Sequence, residues 1–254
     1  MDPCAEVAPV YDWAELSTAD IPFYLELARE TEGSVFEIGA ATGRITLLLA
    51  GLGKQVVALD TSPALLCCAR RKWTEMGGGP GPLFIAGDIR KPCLNQQFPL
   101  IIAPNRAFES LFSDAERIRA FQDCTQLLAP AGLLAIHVWG PPQDNSPKTD
   151  EKEEHIPPTD EHAGLRVVRW EERDRARKVR RHHRRIEELD GLKRFWEPPP
   201  LELRWFTHPE LEELGLRAGL RIEQRYGDFR RAPFHPGSPQ MIWVYRKRRP
   251  PSIQ

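Results

Sequence analysis

A loop of small residues between an apolar stretch and an amphipathic helix is the feature that most constrains the fold of this chain. The loop lies in Glu37-Ile38-Gly39-Ala40-Ala41-Thr42-Gly43, after an apolar stretch that begins at Ser34. Glycine lets the backbone approach a ligand closely, and a helix N-terminus offers unpaired N–H groups and a positive dipole end. The loop is therefore predicted to hold a nucleotide-like ligand. The structural alternative is that the glycines only allow tight packing of strand against helix.

A second apolar stretch, which ends in an acid, completes this unit. Residues 55–59 are apolar apart from Gln55, and Asp60 follows them, about 20 residues after the glycine loop. A carboxylate in this place can accept hydrogen bonds from both hydroxyls of a ribose. Strand, loop, helix, strand and acid together predict a βαβ unit that binds a nucleotide.

The first 139 residues continue to alternate strand and helix patterns. Further strands are predicted over residues 82–88, 98–104 and 133–139, and Ser62-Pro63 and Ser113 with Glu116 mark helix starts. This alternation is typical of a doubly wound parallel sheet.

The remaining residues predict an insertion and the completion of the sheet. Residues 140–161 are polar, acidic and rich in proline, so no structure is assigned to them. Arginine and aromatic residues dominate 165–205, where Asp190-Gly191 is a hairpin signal, and two or three antiparallel strands are predicted. A helix over residues 171–189 is the competing interpretation. A capping box, Thr207 with Glu210, opens a helix that a C-terminal antiparallel hairpin follows.

The predicted class is α/β, with a Rossmann-like, doubly wound, seven-stranded sheet that ends in the C-terminal hairpin. An antiparallel β ribbon is inserted after strand five. Residues 1–139 form an N-terminal cap and the nucleotide-binding half, 140–205 a flexible acidic connection and the ribbon, and 206–254 complete the first domain. A chain of 254 residues that is 41% hydrophobic can bury one such core with an inserted subdomain.

Charge and hydropathy limit the expected partners. The net charge is -1, and no apolar run approaches the roughly 20 residues that span a bilayer. The N-terminus lacks a basic region followed by an apolar core, so a cytoplasmic location without a membrane partner is expected. No metal site is expected.

The strongest charge run, residues 173–185, allows three interpretations. It can be a solvated ribbon paired with nearby acids, or it can cover the site and direct arginines at an anionic acceptor. RNA binding is the weakest of the three, because the run lacks interleaved aromatic residues.

The order of these motifs resembles that of class I S-adenosylmethionine-dependent methyltransferases. The resemblance covers residues 11–246 and depends on the glycine loop, Asp60, Gly87-Asp88-Ile89, the turn 129–132 and the closing hairpin. It implies that the loop contacts the methionine part of S-adenosylmethionine, that Asp60 holds the ribose and that Asp88 faces the adenine amino group. The family usually has a further glycine where this chain has Ala41. Because alanine need not adopt a positive φ, cofactor binding is expected to persist.

The resemblance also implies an N-terminal cap, in which Tyr11, Trp13, Phe23 and Tyr24 cover cofactor and substrate; packing of a helix on the sheet is the equal alternative. His137 and Arg106 are the candidate catalytic residues, since they lie at the carboxyl ends of strands, where open α/β sheets bind ligands. A histidine that only forms hydrogen bonds in the core is the alternative for His137. The candidate cofactor-binding residues are Tyr11, Tyr24, Glu37, Gly39, Ala40, Ala41, Gly43, Asp60, Thr61, Gly87, Asp88, Ile89 and Asn105.

The predicted function is methyl transfer to a small, polar or anionic acceptor at nitrogen, oxygen or carboxylate, by a monomer or homodimer. Positioning alone can supply roughly 7–11 kcal/mol of the barrier for a neutral amine. An alcohol needs a general base, whereas a carboxylate needs only cationic clamps. Two alternatives are a nicotinamide-dependent oxidoreductase and a catalytically silent relative that serves as a binding or assembly module.

Overall fold

The structure is a computed structural model that describes residues 11–12, 18–144, 146–156, 164–189, 195–238 and 240–248. The described chain divides into two compact units, residues 1–140 with 206–254 and residues 141–205. We call the first unit the sheet domain and the second the insert. Trp13, Asp190 and Gly191 of the sequence predictions lie outside the described residues.

The sheet domain contains a seven-stranded sheet of order β11-β12-β5-β4-β1-β2-β3. Five strands run parallel, and the last two are antiparallel, β11 to β12 and β12 to β5. The predicted doubly wound sheet with a closing antiparallel hairpin is confirmed. Its strands are β1 (Val35–Ile38), β2 (Val56–Asp60), β3 (Leu83–Ala86), β4 (Phe98–Ala103), β5 (Leu128–Val138), β11 (Leu220–Tyr226) and β12 (Met241–Lys247).

Within the described residues, five helices of six residues or more cover the two faces of this sheet. Three of them begin at caps predicted from the sequence: the Ser62 side chain accepts from the Leu65 N–H, and Ser113 and Thr207 each complete a capping box. A short 3₁₀ helix, Ala107–Ser110, follows β4. The helices are α1 (Ile21–Glu30), α2 (Thr46–Gly51), α3 (Pro63–Glu75), α4 (Asp114–Leu127) and α5 (His208–Arg217).

Alternate residues of the buried strands pack on opposite faces. Phe36 and Ile101 belong to the apolar cluster beneath α4 and α5, whereas Val35 and Leu100 pack with α1 and α2. A strand that is buried on both faces is a continuous run of hydrophobic residues in the sequence. Such runs predicted these strands. No helix in the described part of the chain is long and apolar enough to cross a membrane.

The insert is an antiparallel sheet in which β8 pairs with β7, β9 and β10, and β7 also pairs with β6. The helix considered for residues 171–189 is wrong, because β7 and β8 occupy this range with their turn at residues 175–178. Residues 140–161 were assigned no structure, yet β6 lies among them and gains its order from pairing with β7. The strands are β6 (Lys152–Ile156), β7 (Leu165–Asp174), β8 (Val179–Glu188), β9 (Phe195–Trp196) and β10 (Leu201–Arg204).

Several arginines of the insert form ion pairs with acids of the insert. Arg166 pairs with Glu153 and Glu187, and Arg181 pairs with Glu202 at 2.5 Å. Glu154 and Glu171 pair in the same way with Arg169 and Arg173. This pairing favours the interpretation of the charge run as a ribbon neutralised by nearby carboxylates.

Candidate functional site

The glycine loop lies at the carboxyl edge of the sheet, where the backbone fastens it to β2. The N–H groups of Gly39 and Ala40 donate to the carbonyl of Leu59 at 2.8 and 3.0 Å. Gly39 has a φ of 78°, and a Cβ on it would lie 2.8 Å from the Cβ of Ala107. Glycine is thus required at residue 39 both for the backbone conformation and for the close approach of Ala107.

Ala41 occupies the left-handed region of backbone space, with a φ of 49°. The expectation that alanine avoids a positive φ here is wrong. The loop retains a conformation suited to glycine and carries a methyl group in it, which is unfavourable for an L-residue. The Ala41 side chain is itself buried.

Asp60, at the end of β2, joins the two neighbouring loops. Its Oδ2 accepts from the Ala41 N–H at 2.9 Å, and its Oδ1 accepts from the Ser62 N–H at 2.8 Å, across Thr61. An ionised carboxylate offers about four lone-pair sites, so each oxygen keeps acceptor capacity after these bonds. The half-buried Asp60 carboxylate can therefore accept from a pair of neighbouring hydroxyls.

Asp88 follows β3, the strand beside β2, and lies at the same edge of the sheet. The Gly87 N–H donates to the Asp60 carbonyl at 2.9 Å, which connects the ends of the two strands. Arg90 holds the Asp88 carboxylate through its Nε at 2.9 Å and its backbone N–H at 2.8 Å. These hydrogen bonds lower the pKa of Asp88, so it is ionised at neutral pH. Ile89, the next residue, is buried.

Glu37 is enclosed beneath the loop and does not open toward solvent. It is 2% exposed and accepts a hydrogen bond from the Thr46 hydroxyl of α2. Burial raises the pKa of Glu37 to about 8, although the Thr46 hydrogen bond and Arg44 act in the opposite direction. This predicted cofactor residue thus connects β1 with α2 in the interior.

The helix α1 brings a buried ion pair and a buried tyrosine to the loop. Arg44, which follows the loop, donates from both terminal nitrogens to the two oxygens of Asp20 at 2.6 and 2.7 Å. Tyr24 is fully buried, and burial followed by the nearby Asp20 carboxylate raises the pKa of its hydroxyl. The side chain of Tyr24 therefore stays protonated beside the loop.

Two contacts of Asp12, with the loop and with α3, were missed by the sequence reasoning. The Thr42 hydroxyl donates to Asp12 at 2.6 Å, and Lys72 of α3 pairs with the other oxygen of Asp12 at 2.5 Å. Asp12 follows the half-buried Tyr11, so these bonds fix the N-terminal segment to the loop. Single polar residues without periodicity give no sequence signal for such contacts.

The chain turns sharply after β4, beside the glycine loop. Asn105 and Arg106 both have positive φ, at 45° and 68°. The Arg106 N–H donates to the carbonyl of His137 at 3.2 Å, and its guanidinium lies 4.3 Å from the centre of the Trp139 ring. The strained turn therefore joins the end of β4 to the end of β5.

His137 lies near the carboxyl end of β5 and is 3% exposed. Its Nε2 lies 2.6 Å from Oε1 of Gln240, and its ring lies 4.8 Å from that of Phe229. Burial lowers the pKa of His137 to about 4, with Arg106 adding to the effect, so the ring is neutral at pH 7. Gln240 and Phe229 belong to the loop between β11 and β12, which the sequence reasoning did not connect with the site.

Three comparisons with known proteins match this arrangement. The sequence profile of a family described as "Methyltransferase domain" matches residues 35–132, from β1 into β5. This segment is a methyltransferase domain.

A curated relative is the "Uncharacterized methyltransferase OB1106" of Oceanobacillus iheyensis, 29% identical over 112 residues, which is 44% of this chain and 49% of the relative. The match thus spans about half the length of that protein.

Solved structures of methyltransferases share the fold of the whole described chain. An S-adenosylmethionine-dependent methyltransferase from Clostridium acetobutylicum is 15% identical, with a TM-score of 0.79 over 96% of this chain and 98% of its own. CalS10, an amino pentose methyltransferase from Micromonospora echinaspora, is 21% identical, with a TM-score of 0.72 over 95% and 96% of the two chains. The resemblance to class I S-adenosylmethionine-dependent methyltransferases is confirmed, and the nicotinamide alternative finds no support.

The residues of the methyltransferase domain fit S-adenosylmethionine, the cofactor of this family. The glycine loop, Asp60 and Asp88 meet at one edge of the sheet, as the hydrogen bonds between their strands require. Two carboxylates and a loop with close backbone approach suit an adenosine with two hydroxyls and an amino group.

Proposed function

We propose that this chain transfers the methyl group of S-adenosylmethionine to a small, polar acceptor. The observation that carries the proposal is the hydrogen bond from the Ala41 N–H to the Asp60 carboxylate. This bond holds Asp60, the acid predicted to bind the ribose, against the glycine loop, and the Gly87–Asp60 bond holds the residue before Asp88 at the same edge. The fold that this chain shares with S-adenosylmethionine-dependent methyltransferases gives further support.

In this proposal the residues divide the work of binding. Asp60 accepts the ribose hydroxyls, Asp88 accepts from the adenine amino group, and the backbone from Gly39 to Gly43 lies along the methionine part. When bound, the cofactor supplies a methyl group on a sulfonium: a bond from acceptor to carbon forms as the sulfur–carbon bond breaks, and its electron pair stays on sulfur. The protein's contribution is positioning, worth roughly 7–11 kcal/mol when the geometry is good.

A small acceptor is favoured over a macromolecule or a membrane. The net charge of -1 gives no general attraction to nucleic acid. CalS10, which shares the fold, acts on an amino pentose according to its description. The anionic acceptor considered from the arginine run has less support, since Arg173, Arg181 and Arg185 of this run are paired with acids of the insert.

Isothermal titration calorimetry with S-adenosylmethionine and S-adenosylhomocysteine tests the proposal. Saturable heat with one site per chain is the expected result. Folded protein that gives no heat with either compound contradicts it. Transfer of a ¹³C-labelled methyl group into a metabolite extract then separates an enzyme from a catalytically silent relative.

A further inference from the structure

Several buried polar atoms of the sheet domain have no hydrogen-bond partner among the described residues, and two of them belong to side chains that contact the ring of Phe229. These two are Oη of Tyr24 on α1 and Nδ1 of His137 on β5, in residues that are 0% and 3% exposed. An unsatisfied buried polar atom costs roughly 1–3 kcal/mol. Such a cost at the carboxyl edge of the sheet points to atoms that a ligand satisfies.

The two atoms border the same aromatic wall. The Phe229 ring lies 4.8 Å from the ring of His137 and 6.3 Å from that of Tyr24. Phe23 adds an edge contact with Phe229 at 6.1 Å, and Tyr226 contacts Phe23 at 5.9 Å. The loop after β11 thus packs against both α1 and β5.

The loop also fixes the tautomer of His137. Oε1 of Gln240 can only accept, so Nε2 of His137 carries the hydrogen at the 2.6 Å contact. In a neutral ring Nδ1 then has a lone pair and no hydrogen. The acidic and basic groups that act on the ring are Asp20, Arg44 and Arg106, and together with burial they leave it neutral.

We propose that Nδ1 of His137 and the Tyr24 hydroxyl oxygen each accept one N–H of the methyl acceptor, which is a neutral primary amine. Gln240 is a positioning residue that holds His137 in the accepting tautomer. The inference rests on the proposed function and specifies its acceptor. Nitrogen is methylated, the amine lone pair forms the new bond, and the surplus N–H proton of the product leaves to water.

The other acceptor classes suit these two atoms less well. A carboxylate would bring its lone pairs against the lone pair of Nδ1, with the Asp20 carboxylate nearby. A hydroxyl must lose its proton during transfer, and a base works best when its pKa is near the operating pH. The pKa of His137, lowered to about 4, makes it a weak base but leaves it a good hydrogen-bond acceptor for an amine.

Nitrogen NMR of ¹⁵N-histidine-labelled full-length protein tests this directly. Trifluoroethylamine, trifluoroethanol and trifluoroacetate are the probes, added at pH 7.5 to protein saturated with S-adenosylhomocysteine. The amine, neutral at this pH, is expected to shift the Nδ1 resonance of His137, which a His137→Phe spectrum assigns. A larger response to trifluoroacetate, an equal response to trifluoroethanol, or no response to the amine overturns the proposal.

A Gln240→Glu variant adds a readout that a purely structural role would not move. The new carboxylate beside Nε2 raises the pKa of His137 and favours a ring with hydrogen on both nitrogens. Binding of the amine should weaken about tenfold, and that of trifluoroacetate should strengthen. Gln143→Glu, on an exposed side chain of the insert, is the control and should leave both affinities unchanged. If Gln240→Glu binds the amine and trifluoroacetate with the same relative affinities as wild type, the positioning role is contradicted. If this variant does not fold, Gln240→Leu is used instead. It removes the oxygen that accepts from Nε2 of His137 and should likewise weaken the response to the amine.

Calorimetry on the same samples distinguishes a wrong acceptor assignment from a wrong proposed function. Protein that binds S-adenosylhomocysteine but not the amine contradicts the acceptor assignment alone. Protein that binds neither compound contradicts the proposed function.

Discussion

The main-chain N–H of Ala41 donates to Oδ2 of Asp60 over 2.9 Å, so the loop after β1 is attached to the acid after β2. Oδ1 of the same carboxylate receives the Ser62 N–H at 2.8 Å. Asp60 therefore joins two loops and, in the proposed function, also accepts hydrogen bonds from a ribose. Its removal should affect both the order of the loops and the binding of the cofactor.

Asp60→Asn should weaken S-adenosylmethionine binding strongly. An amide has one acceptor oxygen and an NH₂ group that cannot accept, so a backbone bond or a ribose bond is lost. A loss of about 2–3 kcal/mol, on the order of 30- to 150-fold in Kd, is expected in calorimetry. The matched control is Asp144→Asn, because Asp144 also accepts an N–H two residues later, from Ser146 at 2.9 Å. Equal cofactor affinity in both variants would contradict the role of Asp60.

Ala41→Gly should stabilise the protein. The residue has a φ of 49°, where alanine is disfavoured by roughly 1–2 kcal/mol and glycine is not. Glycine also increases the entropy of the unfolded chain, so a net gain of about 0.5–1 kcal/mol is expected in urea unfolding. Ala40→Gly is the control, because residue 40 has no positive φ. This variant should lose about as much unfolding free energy as Ala41→Gly gains. A loss of stability in both variants would show that φ at residue 41 carries no strain.

Glu37 should make stability fall as pH rises above neutrality. Its folded pKa of about 8 lies above the ordinary 4.5, so the folded state retains a proton that the unfolded state has lost. The resulting stability is fully present below pH 4.5 and is lost as pH rises through 8. His137 has the opposite slope, but only between its folded pKa of about 4 and 6.5. The window from pH 6.5 to 8 therefore reports Glu37 without His137.

Unfolding free energies of wild type and Glu37→Gln across this window check the effect. Wild type should lose about 1.5 kcal/mol more than the variant between pH 6.5 and 8. Glu75→Gln, on an exposed acid at the end of α3, should behave as wild type. Parallel pH curves for wild type and Glu37→Gln would mean that Glu37 is ionised in the folded protein.

The sequence was sufficient to predict the strands of the sheet but not the side-chain contacts at its carboxyl edge. Buried parallel strands are continuous apolar runs, and the caps at Ser62, Ser113 and Thr207 use local hydrogen bonds, so both leave local signals. The strand β6 leaves none, because its polar residues become ordered only by pairing with β7.

Contacts between residues far apart in the chain could not be predicted from the sequence either. Gln240 meets His137 across 103 positions of the chain, and Asp12 meets Lys72 across 60. The position of Ala41 was recognised, but its positive φ was not, since the surrounding hydrogen bonds impose it against the preference of alanine.

Two glycine-to-alanine substitutions in helices should have opposite effects. A Cβ on Gly215 of α5 would lie 2.4 Å from Cε1 of the buried Tyr245, whereas a Cβ on Gly51 of α2 meets nothing within 4 Å. Gly215→Ala should cost about 1–3 kcal/mol through overpacking, and Gly51→Ala should gain up to about 1 kcal/mol through helix propensity. Thermal unfolding of the two variants checks the sign. A stabilised Gly215→Ala would contradict the tight contact between α5 and β12.

Removal of the Tyr24 hydroxyl should make the protein more stable and bind the amine less well. The hydroxyl is buried without a partner among the described residues, so Tyr24→Phe removes an unsatisfied group and should gain about 1 kcal/mol in urea unfolding. Tyr245→Phe is the matched control, because its hydroxyl donates to the Leu211 carbonyl at 2.8 Å and its loss should cost about 1 kcal/mol. In the trifluoroethylamine titration only Tyr24→Phe should weaken binding. A Tyr24→Phe variant that loses stability would show that the hydroxyl is already satisfied in the free protein, and this would remove it from the acceptor pocket.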